Sequence, residues 1–290
     1  MQTHRRTFRW GAWLGWQLDS NWTEPWLFAI YVIIKPLAGS LLLVCMYYAA
    51  REAVPGRVPV EFLPYMYVSN ACYMLVGAVM FGMSYAVISD REHYRMLKYI
   101  YISPGRLQTY FVARALSGAG QALLGGMLNL GVGAAAFPEV RHALIRYPIA
   151  WGWLVFYLVL GAVLLLSLGL ILSAAVLNMA RHGMYLSEGI AGVMYLLCGV
   201  VFPIGVLPTL LRGVSLALPP TYWLEGMRRA LLGPPPAGIL HSPLSSWTHV
   251  ELAGALLIST LALGVFAAWF FRYSERRAWR SGRIEETTGA

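Results

Sequence analysis

Charge is what this sequence lacks. Only 12% of its 290 residues are charged, about half the share of an ordinary soluble domain. The deficit is uneven. Charges cluster at 4–24, 51–61, 90–106, 139–146, 225–229 and 272–286, with long apolar runs between. With 58% hydrophobic residues and a mean hydropathy of +0.59, each run suffices to cross a hydrocarbon core, which takes roughly 20 helical residues. A water-soluble domain of useful size is excluded. The net charge of +9 therefore points to the basic face of a membrane protein and to anionic lipid. Nucleic acid has no soluble basic domain to bind.

Other absences narrow the chemistry. The three cysteines, Cys45, Cys72 and Cys198, sit inside apolar runs without metal-ligand spacing, as small buried hydrophobes do. A phosphate-cradling GxxxxGK[ST] loop is missing, so ATP hydrolysis by that route is excluded, and so is an HExxH zinc site. All six histidines fall at loop or interfacial positions, which leaves a membrane Ser–His dyad without a base at depth. A membrane enzyme stays open as an alternative, but no catalytic constellation supports it. Neither metal nor cofactor is expected in this chain.

What is present predicts an all-α polytopic membrane protein. Residues 1–24 have no apolar signal region. Their Trp10, Trp13, Leu14 and Leu18 recur at helical spacing, with Arg5, Arg9 and Gln17 elsewhere, as in a helix lying in the headgroup layer. Six spans follow, at about 25–49, 62–89, 108–137, 148–177, 184–206 and 250–272, and a tail occupies 273–290. Lys35 and Pro36 interrupt the first span. With the N-terminus inside, thirteen Lys and Arg fall on the inner side against seven outside, the sign expected for short loops. An even span count places both termini in the cytoplasm of a cell (inner) membrane.

Two connections stand out. The cytoplasmic stretch SDREHYRMLKYIYISPGR, centred on 90–104, puts Met96, Leu97, Ile100 and Tyr101 on one stripe and Arg91, Arg95 and Lys98 on the rest. That describes a short amphipathic helix stopped at Pro104–Gly105. The segment 203–247 is apolar in its first half and punctuated by Pro203, Pro208, Pro219, Pro220 and Pro234–Pro236. Two proline-broken helices dipping into the outer leaflet fit it, and irregular backbone at that depth must pack on protein or line a cavity.

Charges within spans are costly and default to function. Lys35 lies about 15 Å deep at 1.5 Å per residue, and Glu188 lies near the inner end of the fifth span. Either faces a translocation path, or Glu188 is neutralised by a structural partner. Arg114 is expected to snorkel to the headgroups. The glycines of the third span, with Ser84 and Ser117, are expected to permit close helix approach.

The two connections together resemble type-2 ABC exporter permeases. In the first, the matching positions are Asp90, Arg91, Glu92, Leu97, Ser103, Pro104, Tyr110 and Arg114. In LPPTYWLEGMRRALLG they are Pro219, Pro220, Tyr222, Arg228 and Gly233. The order of elements also fits: an interfacial helix, six spans, and re-entrant helices before the last. Where the family usually has Gly-Thr and then an acidic residue, this chain has Tyr94, Arg95 and Lys98, so its loop is more basic. The resemblance implies that 90–104 is a coupling helix docking into a nucleotide-binding subunit, which binds the ATP and Mg. It further implies a second permease, identical or related, and export of an amphiphile such as a drug, lipid or lipid-linked glycan. An ion-gradient carrier, or an accessory membrane subunit without transport, are the alternatives; the carrier predicts repeated halves with polar midplane ligands.

Overall fold

The computed structural model describes residues 2–20, 25–56, 58–179, 182–235 and 242–282. Arg57, Arg181 and Arg283 of the charge count, Pro236 and His241 lie outside the described residues, as does the side chain of Lys35.

Every regular element among the described residues is helical. The helices are α1 (Gln2–Ser20), α2 (Pro25–Ala53), α3 (Phe62–His93), α4 (Leu97–Ile102), α5 (Leu107–Ala136), α6 (Pro138–Arg146), α7 (Trp151–Leu177), α8 (Gly183–Leu197), α9 (Thr209–Ala217), α10 (Pro219–Leu232) and α11 (His249–Arg280). Among described residues α3, α7 and α11 are long and apolar enough to cross a membrane, and α5 with α6 makes a fourth if that pair, bent by 111°, counts as one span. The six expected spans are thus matched by three to four. α8 shows one reason: its 15 residues reach about 22 Å, short of a core roughly 30 Å thick.

Several boundaries differ from the sequence reading. α2 runs unbroken through Pro36. The fifth apolar run does not stay helical to 206. It ends at Leu197, because Gly199 turns the chain at φ +75° and Pro203 follows. Proline opens α10 rather than breaking it: Pro219 occupies the first turn, where its missing N–H costs nothing. α11 continues past 272 to Arg280, and starts from a capping box in which Thr248 and Glu251 satisfy each other's backbone N–H groups.

The core is built on one face of α7, which is apolar on all sides; Val155, Val159 and Val163 on its other face are exposed, as on a helix long enough to span a membrane. It packs on α11, α3 and α10. Against α10 the fit is reciprocal. The Trp223 indole covers the bare backbone of Gly161, and a Cβ on Gly226 would lie 2.5 Å from the Tyr157 ring. α5 approaches α3 through small residues: Cβ atoms on Gly118 and Gly126 would each come within 3.3 Å of carbonyl oxygens of Ala78 and Ala71, and Gly133 faces the Tyr67 ring. Close packing is therefore what these glycines do.

α3 departs from ideal α geometry twice, with wide π turns at Gly77–Phe81 and Ser89–His93. In the second, Tyr94 N–H reaches back five residues to the Ser89 carbonyl at 2.9 Å.

Candidate functional site

The segment 90–104 is two elements rather than one helix. Asp90, Arg91 and Glu92 form the last turn of α3, Arg95 takes a left-handed φ of +50°, and only Leu97–Ile102 is the separate helix α4. That break follows from the π turn, after which the Met96 N–H bonds the Asp90 carbonyl at 2.9 Å.

Two residues of the turn grip different parts of the molecule, and the third, Glu92, braces one of them. Asp90 is fully buried and forms an ion pair with Arg114 of α5, while its second oxygen accepts from Tyr110 OH at 3.0 Å. Arg114 is itself 7% exposed. It does not snorkel, because its partner lies inside. Arg91 donates to the Met179 carbonyl just beyond α7 at 2.9 Å and pairs with Glu92 at 3.1 Å. One tripeptide thus ties α3 to the base of α5 and to the end of α7. Buried charge-assisted bonds of this kind fix geometry, since removing one partner leaves an uncompensated charge.

The clamp determines what α4 presents. Leu97 is buried, with Met96, Ile100 and Tyr101 half-buried beside it, so the predicted apolar stripe faces the protein. Tyr94, Arg95, Lys98, Tyr99, Ile102, Ser103 and Pro104 face outward. Tyr99 is 60% and Ile102 77% exposed. The Ser103 hydroxyl donates to the Ile100 carbonyl at 2.7 Å and closes the helix. Asp90, Arg91 and Leu97 are therefore positioning residues inside the fold.

α1 lies across α5 next to this clamp. Gly11 and Gly15 make the contact, a Cβ on Gly15 falling 2.8 Å from Arg114 Cγ, and Ser117 donates to the Ala12 carbonyl. The packed stripe is thus Gly11, Leu14 and Gly15. Trp10 and Trp13, expected on the same face, are exposed. Gly105 meets Thr7, joining α1 to the loop after α4. Ser117 and Ser84 make hydrogen bonds between helices rather than serving as mere small residues, the Ser84 hydroxyl lying 3.0 Å from that of Ser187 of α8.

A second polar network crosses the apolar interior. Asn70 and Asn129 both donate to Ser40 Oγ, at 2.9 and 2.7 Å. Tyr67 OH donates to Asn129 and Tyr195 OH to Asn70, at 2.9 and 3.0 Å. It links α2, α3, α5 and α8, and every member is uncharged. Ser40, Asn70 and Asn129 are marked in the sequence only by an Asn standing in an otherwise apolar run. Glu188, also on α8, is exposed.

The third cluster lies in α10. Glu225 bonds Arg228 at 2.7 Å and Arg229 at 2.9 Å, the three being nearly fully buried. Arg228 also reaches Ser69 Oγ at 3.0 Å and the Gly199 carbonyl at 2.9 Å, and stacks 4.4 Å from the Tyr65 ring centre. Arg229 bonds the carbonyls of Trp247 and Leu244. α10 has 14 residues, about 21 Å, and is no span. Burial works against ionisation of Glu225, but the two guanidiniums outweigh it and hold the carboxyl below its ordinary value. Pro220 is buried, Pro219 half-buried, and Tyr222 OH caps the Leu216 carbonyl of α9 at 2.7 Å. Of this cluster Arg228 alone is among the family-like positions of the sequence; its partners Glu225, Ser69 and Gly199 are not.

Among the described residues no group of three or more His, Cys, Asp or Glu is arranged to hold a metal ion. The family described as "ABC-2 type transporter" matches residues 10–232. None of the curated proteins compared matches the chain.

Proposed function

We propose, from the premise that this chain belongs to the ABC-2 type transporter family, that it is the membrane permease subunit of an ATP-driven exporter. ATP and Mg are bound by a separate nucleotide-binding subunit, and a second permease, identical or related, completes the membrane part. The cargo is an amphiphile, a drug, lipid or lipid-linked glycan. In this reading the chain makes six passes through a cell (inner) membrane with both termini in the cytoplasm. α1 lies in the headgroup layer, 203–247 folds back into the outer leaflet, and Lys35 and Glu188 are candidates for the translocation path.

The observation that carries the reading is the clamp at the foot of α3. Asp90 and Arg91 hold the end of α3 to α5 and to the segment after α7. α4 is thereby a short lever with an outward face of Tyr99, Ile102 and basic side chains. A partner that closes on this face pushes three helices at once, since packed elements pass displacement on rather than absorb it. The interior network at Ser40, Asn70 and Asn129 is uncharged and satisfied within itself, which offers an ion-gradient carrier no acidic midplane ligand.

The test is ATP turnover by the purified complex in vesicles. Cargo-stimulated turnover and transport that both require this chain support the reading. Transport by this chain alone, driven by a proton or sodium gradient, overturns it.

A further inference from the structure

A cavity of about 480 Å³ opens between the start of α3, the short helix α6 and the end of α10. Its apolar walls include Val60, Pro64, Leu232 and Pro234. Its charges are of two kinds. Glu225, Arg228 and Arg229 are consumed by one another and by backbone carbonyls, as described above. The remaining charges are not. Glu61 has no side-chain hydrogen bond to the helix it precedes. Glu139 accepts only a long 3.5 Å bond from Tyr48 on one oxygen, and its other oxygen is buried without a donor. Arg146 forms no ion pair with any described residue, and lies 5.6 Å over the Tyr147 ring.

Unpaired carboxylate and unpaired guanidinium therefore border the same cavity without meeting. Both sit on α6, where Glu139, His142 and Arg146 follow at helical spacing, and seven residues separate the two charges by about 10 Å along the axis. A buried anionic oxygen without a donor is costly, and a helix of nine residues cannot bring its own two ends together. What satisfies both is a ligand carrying a cation at one end and an anion at the other, with a contact of hydrogen-bond length at each.

We infer that this cavity binds the head group of a zwitterionic amphiphile, an aminophosphate of the phosphoethanolamine kind. Its ammonium lies on Glu139, with Glu61 nearby; its phosphate lies on Arg146 and His142; its apolar part follows the proline and leucine walls. The inference needs no assumption about ATP, and stands apart from the proposed export activity.

The test is lipid retention by the purified detergent-solubilised complex, read by native mass spectrometry. Short-chain lipids with phosphoethanolamine, phosphoglycerol and plain glycerol heads are offered in competition. Wild type is expected to prefer phosphoethanolamine over each of the others by about tenfold, the order of a partly solvated charge pair. Glu139→Gln should abolish the preference over phosphoglycerol, and Arg146→Gln the preference over plain glycerol. Arg141→Gln, an exposed change outside the lining, should do neither. Equal retention of all three lipids by wild type overturns the inference, as does an unchanged profile in Glu139→Gln and Arg146→Gln. Both α6 variants alter partly or fully exposed side chains, and thermal unfolding of each confirms its fold. If ATP turnover depletes the bound lipid, it is cargo; if the lipid persists, it is a resident of the membrane. Either outcome supports the site.

Discussion

Trp223 of α10 lays its indole on Gly161 of α7 and donates its Nε1–H to the Tyr157 carbonyl at 2.9 Å. Three residues along α10 the roles reverse, and the Tyr157 ring fills the space left by Gly226. The short helix is therefore keyed into the central one in a single register. Gly226→Ala should lower stability by about 1–3 kcal/mol, the usual cost of overpacking. Thermal unfolding of the detergent-solubilised protein checks this, and an unchanged midpoint would refute the interlock.

The Asp90–Arg114 pair makes a second expectation. Arg114→Met alone leaves Asp90 buried and unpaired and should cost about 3–5 kcal/mol, whereas Asp90→Leu added to it should recover much of the loss. A double-mutant cycle on unfolding midpoints measures the coupling. Additive losses would mean the two side chains act independently.

α4 separates coupling from folding. Tyr99→Ala with Ile102→Ala changes only outward-facing side chains, so cargo-stimulated ATP turnover should fall while the unfolding midpoint stays put. Leu97→Ala empties a core position and should lower stability by about 2–5 kcal/mol. Full turnover in the Tyr99/Ile102 variant would remove α4 from the coupling path.

Acid should weaken the α10 anchor. The Glu225 carboxyl titrates below its ordinary value in the folded chain, so its contribution is complete above the unfolded glutamate range. It is lost as pH falls through the lower, folded value. Glu225→Gln should be less stable than wild type at neutral pH, and the gap should narrow as the medium is acidified. Unfolding midpoints across pH test the sign; a gap that widens toward acid would contradict it.

Orientation in the membrane can be read chemically. A cysteine replacing the exposed Thr209 should react with an impermeant reagent applied from outside. Labelling only after lysis would invert the orientation.

The sequence showed the helical class, the apolar runs, the stop at Pro104–Gly105 and the paired short helices after 203, because each rests on local composition. It misplaced what depends on distant partners. Arg114 looked like a snorkelling cation because Asp90 is 24 residues away. The burial of Asp90, Arg91 and Leu97 was not legible, since periodicity alone does not say which side of an amphipathic stripe is covered. Ser40, Asn70 and Asn129 carry no charge to mark them, and come together only when three helices pack. The end of α8 at Leu197 was hidden because the residues after it stay apolar while Gly199 redirects the backbone.

The wide turns of α3 carry a mechanical corollary. Each holds one residue more than the α-helix it interrupts, so reverting either to ordinary geometry slides the remainder by about 1.5 Å and swivels it by about 100°. The second lies within the very turn that bears Asp90 and Arg91. A nudge there would be delivered to the bundle as torque, and the helix would behave as a screw rather than as a piston.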